Sequence, residues 1–84
     1  MKMEYIVNGT LIKTTISGDL WQTEEGYTIS RTKKSLKGAW NYTVFAPKGR
    51  MSADGLHRQI LCYSASSLKK ALREVALDMK KHKN

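Results

Sequence analysis

Side chains able to carry chemistry are few in this chain and poorly placed for catalysis. His57 and His82 are its two histidines, one beside a glycine-rich connection and one in a basic tail; neither stands at metal-ligand spacing from a cysteine or carboxylate. Glu24 and Glu25 are adjacent and precede Gly26, so their side chains diverge from a turn instead of converging as an acid–base pair. Cys62 is the sole cysteine; it forms no internal disulfide, and its place in a strand-like run reads as a small buried hydrophobe. Gly38, Gly49 and Gly55 are too dispersed to cradle a phosphate. The expectation is a non-enzymatic protein with no metal and no cofactor.

What remains is charge. Residues 31 to 40, RTKKSLKGAW, place Arg31, Lys33, Lys34 and Lys37 in a stretch without a carboxylate that ends on Trp40. Lys48, Arg50 and Arg58 flank the next connection. The whole chain carries +8, unevenly distributed. Residues 1 to 30 hold Lys2 and Lys13 against Glu4, Asp19, Glu24 and Glu25, a net of −2, whereas the remainder holds a net of +10. A one-sided field of this kind favours nucleic acid, or an acidic or nucleoprotein surface, and speeds encounter with it. Lysine and arginine on such a surface displace condensed counterions, giving affinity that falls steeply with salt. The same residues also suit a solvated hairpin tip, where lysines discourage edge aggregation. Both readings of the Arg31–Lys37 stretch stand.

Hydrophobic patterning says what must position these residues. Asn8-Gly9 lies between two runs rich in β-branched and aromatic residues, Met3–Val7 and Thr10–Ile16, which predicts a hairpin with a type I′ turn. Leu20-Trp21-Gln22 reads as a short strand or bulge. Tyr27–Thr32 and Trp40–Ala46 read as strands, with Tyr27, Ile29 and Arg31 on one face and Trp40, Tyr42 and Val44 on another. Lys33 to Gly38 is then a hairpin connection. Trp40 reads as part of a core stripe beneath a helix, and Trp21 as less firmly placed; either one, if exposed, would suit base stacking or a protein hot spot. Thr28, Ser30 and Asn41 fall on faces from which they could reach bases or phosphates, since a two-stranded ribbon fits the major groove. Pro47-Lys48-Gly49 ends the Trp40–Ala46 strand, Arg50 to Leu56 read as a long mobile loop, and His57–Tyr63 as the last strand.

Spacing changes after Tyr63. Leu68, Leu72, Val75 and Met79 recur at helical intervals with Ala71 and Ala76 alongside, predicting a helix over about 66–81. Ser64, Ser66 or Ser67 supplies the N-cap. Lys69, Lys70, Arg73, Lys80 and Lys81 make a cationic outer surface relieved by Glu74 and Asp78.

The expected class is α+β: a single domain over 1–84, an antiparallel meander of four to five strands with one C-terminal helix packed on one face. At 84 residues such a chain buries only about 60–65% of its unfolded surface, which argues against an internal active-site cavity. No run suits a signal peptide or membrane span; the expected compartment is the cytoplasm and no membrane partner is expected. Free sheet edges allow a homodimer.

The order from Tyr27 to Lys81, three strands and then a packing helix, is similar to the arm-type DNA-binding domains at the start of tyrosine integrases, which lay their sheet in the major groove. The hairpin at residues 3 to 16 departs from that pattern. In size and style the chain also resembles accessory proteins of phages and mobile elements, including anti-CRISPR inhibitors. These resemblances imply a small protein that contacts nucleic acid or a nucleoprotein through basic loops, or alternatively one that occludes a surface of a host protein complex.

Overall fold

The computed structural model describes residues 1–33 and 39–82. Lys34 and Lys37, singled out above as candidate contacts, lie outside the described residues. Six strands follow one another: β1 (Lys2–Val7), β2 (Thr10–Ser17), β3 (Leu20–Thr23), β4 (Thr28–Lys33), β5 (Trp40–Phe45) and β6 (Ile60–Ala65); α1 (Leu68–Lys81) comes last. Every strand pairs antiparallel with its sequence neighbours, in the order β1-β2-β3-β4-β5-β6. The α+β meander is therefore present, with one strand more than the upper expectation. Leu20–Thr23 forms a full strand because it pairs on both sides, Trp21 with Ile16 and with Ile29.

Local chemistry explains the elements. Asn8 and Gly9 both take positive φ, 51° and 78°, as a type I′ hairpin turn requires. Ser67 caps α1 by accepting a hydrogen bond from the Lys70 N–H at 3.2 Å, and Lys80 and Lys81 occupy the last turn, where cations complement the helix dipole. The last strand begins three residues later than expected. Residues 57–59 are engaged in the preceding loop instead: His57 O accepts from Ser52 N–H at 2.7 Å, and Gln59 N–H donates to Arg50 O at 2.9 Å.

Because side chains alternate along a strand, one sheet face carries Ile12, Ile16, Trp21, Ile29, Tyr42 and Val44, and α1 packs over it through Ala71, Leu72, Val75 and Ala76. Trp21 and Tyr42 meet at a tilt, with ring centroids 6.0 Å apart and planes inclined at 59°, within the centroid range of favourable aromatic pairs. Among the described residues no helix lies against the opposite face. No helix is long and apolar enough to cross a membrane among the described residues.

Helix direction decides what remains uncovered. Ala65, at the end of β6, lies opposite Tyr42, so the chain leaves the sheet near that level. It then returns toward the other end, where Asp78 meets Tyr27. Trp40 and its cross-strand partner Lys33 lie beyond the start of the helix.

Candidate nucleic-acid interface

The uncovered end of β4 and β5 gathers three residues on one face. Arg31 lies one pleat from Lys33, and Lys33 stands opposite Trp40. The Arg31 guanidinium rests 4.5 Å from the centroid of Trp40 and 5.3 Å from that of Trp21, within range of cation–π attraction to both rings. Asp19, in the turn between β2 and β3, accepts from Arg31 Nε at 2.9 Å and from Nη2 at 2.5 Å. The Asp19 bond, followed by a contact with Tyr42, raises the Arg31 pKa above its ordinary value. Arg31 is thus held in place, bracing the Trp40 ring. Trp40 remains 41% exposed, whereas Trp21 is only 6% exposed.

This corrects the expectation for Trp40 and decides the open one for Trp21. Trp40 does share a face with Tyr42 and Val44, but it lies past the helix and is not part of the covered stripe. Trp21, on a strand paired on both sides, belongs to the core.

The other basic residues are not brought to this end. Lys48, Arg50 and Arg58 belong to the connection between β5 and β6, at the end where α1 finishes. Lys48 is exposed, but the two arginines are engaged in holding the fold. Arg50 Nη1 donates to Asp78 Oδ2 at 2.5 Å and its Nη2 to Asp78 Oδ1 at 3.0 Å, a bidentate pair, while Nη2 also reaches Gln59 Oε1 at 3.0 Å. Arg58 donates to the carbonyl of Ala46, to that of Gly26 at 2.7 Å and to Thr28 Oγ1 at 3.0 Å; its guanidinium lies 5.8 Å from the Phe45 ring. Thr28 and Phe45 occupy the sheet face away from α1, so Arg58 and Arg31 do not share a surface. Arg31 lies on the α1 side through its strand position opposite Tyr42, whereas Arg58 reaches the other side from the loop.

Two polar residues offered as reaching bases are also engaged. Asn41 Oδ1 accepts from the Ser64 hydroxyl, and Thr28 accepts from Arg58. Thr43 Oγ1 donates to Tyr63 O at 3.1 Å. These bonds tie β5 to β6 and anchor the long loop.

Asp78 is the residue whose role sequence reasoning missed. Helical spacing places it on the cationic outer surface of the helix, yet it is 8% exposed and accepts from Tyr27 Oη at 2.6 Å as well as from Arg50. The Arg50 bond, helped by Tyr27 and opposed by burial, holds the Asp78 carboxyl below the usual carboxylate range. Burial first, then the Asp78 bond, pushes the Tyr27 phenol well above its ordinary pKa. Among the described residues no group of three or more His, Cys, Asp and Glu side chains could hold a metal ion.

Comparison with protein-family models, with curated proteins and with solved structures finds no match to this chain.

Proposed function

We propose that this chain is a small non-enzymatic nucleic-acid-binding protein, of the kind carried by phages and mobile elements, that engages its ligand through the exposed end of the β4–β5 ribbon. The observation that carries this reading is the half-exposed Trp40 ring, backed by the Arg31 guanidinium and flanked by Lys33. A braced aromatic surface beside cations is what a base and its phosphate require together: the ring stacks, and the ammonium group neutralises the backbone. Lys34 and Lys37 follow in the same basic stretch of sequence. Arg50 and Arg58 act in this reading as structural residues, and Lys48 contributes to the general field of the molecule.

The test is binding to labelled single-stranded and duplex DNA and RNA across a salt series, with an unrelated protein of equal charge as control. Affinity should exceed the control, and its logarithm should fall linearly with the logarithm of salt concentration. Trp40→Ala should weaken single-strand binding by about 1–3 kcal/mol, and Lys33→Glu should lower affinity on every sequence without lowering the melting temperature. Binding no tighter than the control would overturn this reading and favour the alternative, an anti-CRISPR-like inhibitor that occludes a host protein.

A further inference from the structure

Alternation of hydrogen bonds fixes which groups β1 leaves open. Ile16 N–H donates to Met1 O at 2.6 Å, and the Met1 amine donates to Ile16 O at 3.2 Å. In this register Met3, Tyr5 and Val7 also turn their backbone groups inward to β2, while Lys2, Glu4 and Ile6 turn theirs outward. β1 is the first strand of the sheet order, and its pairing with β2 is regular over all six of its residues. The other edge differs. β6 carries register shifts opposite β5, and irregularities of that kind blunt an edge against further pairing.

Beside β1, between it and the first turns of α1, runs an open groove of about 540 Å³. Tyr5, Val7, Leu68 and Leu72 give it an apolar lining, and Lys69 and Arg73, both exposed, give it a cationic lip. An extended segment added to β1 would send alternate side chains toward this groove while its backbone met the outward groups of Lys2, Glu4 and Ile6.

We infer that the β1 edge and this groove take an extended acidic segment of a partner protein as an added strand. Among the side chains it turns toward the groove, the apolar ones fill it and the carboxylates meet Lys69 and Arg73. Charge selects this occupant over a second copy of the chain. Two molecules of net charge +8 repel each other. In addition, the antiparallel register that uses all three outward residues of β1 sets Glu4 opposite its own counterpart, and like charges directly opposed destabilise a strand pair. This site lies apart from Trp40 and Lys33, and it stands whether or not the chain binds nucleic acid.

The experiment uses fluorescence anisotropy with a labelled peptide that has threonine at every second position and valine and glutamate in turn at the groove-facing positions between. The same peptide with lysine for glutamate serves as control, as does one with the acidic composition in scrambled order. Glu4→Pro removes an outward N–H without touching a bond to β2, and Lys69→Glu combined with Arg73→Glu reverses the lip. The alternating acidic peptide should bind in preference to both controls, and each variant should weaken it about tenfold with an unchanged circular dichroism spectrum. Absence of binding, equal binding of the lysine peptide, or binding indifferent to both variants would overturn the proposal. So would a concentration-dependent dimer in analytical ultracentrifugation that Glu4→Pro dissolves, because a second copy would then hold the edge.

Discussion

Asp78 concentrates the largest single-residue consequences in this protein. Arg50→Met leaves a buried carboxylate without its bidentate partner and should cost about 3 kcal/mol of stability, read from a chemical denaturation midpoint. The same cluster sets two limbs of a pH profile. Because the Asp78 pKa is lowered by folding, its stabilisation is complete above the unfolded carboxylate value of about 3.9 and is lost as pH falls through the lower folded value. Because the Tyr27 pKa is raised, its contribution is complete below the unfolded phenol value of about 10 and is lost as pH rises beyond it. Melting temperature should therefore drop in strong acid and in strong alkali, with a shallower acid limb in Asp78→Asn and a shallower alkaline limb in Tyr27→Phe. None of this was legible in the sequence. Asp78 lies 51 positions from Tyr27 and 28 from Arg50, and local spacing places it merely on the flank of an amphipathic helix. Trp40 misled for a related reason: alternation assigns a residue to a face, but only the angle of the docked helix decides how far along that face the cover extends.

Elements were easier to read than residues, because turns announce themselves chemically. Asn8-Gly9 marked the first hairpin, and the recurrence of Leu68, Leu72, Val75 and Met79 marked the helix. What spacing left open was whether Leu20–Gln22 is a strand or a bulge, which pairing with both neighbours decides in favour of a strand; what failed was the start of β6, whose preceding residues were drawn into the loop by Arg50 and Ser52. The turns also differ in what they tolerate. Gly9 has φ of +78° and open space where a Cβ would point, whereas Gly26 has φ of +101° and would set a Cβ 3.3 Å from Pro47 Cβ. Gly9→Ala should cost about 1 kcal/mol from backbone strain alone. Gly26→Ala should cost more in the same urea titration, since strain and contact act together; equal losses would show that the Pro47 contact relaxes freely.

At the scale of the whole molecule, charge and topology divide the labour. The proposed contacts at the far end of β4 and β5 and the open edge at β1 are separated across the sheet, so one ligand need not displace the other. Topology bears on something else: the order in which contacts form. Every strand pairs with a neighbour in sequence, so the sheet can grow hairpin by hairpin with little loop entropy to overcome. The bond between Tyr27 and Asp78, reaching across most of the chain, belongs to the docking of α1 and forms after those local pairings. Interactions made after the rate-limiting barrier govern how fast a protein comes apart rather than how fast it assembles. In stopped-flow measurements Asp78→Asn should accordingly steepen the rate of unfolding while leaving the folding rate nearly unchanged. The same carboxylate that shapes the pH profile then acts as the kinetic lock of the native state, setting its lifetime.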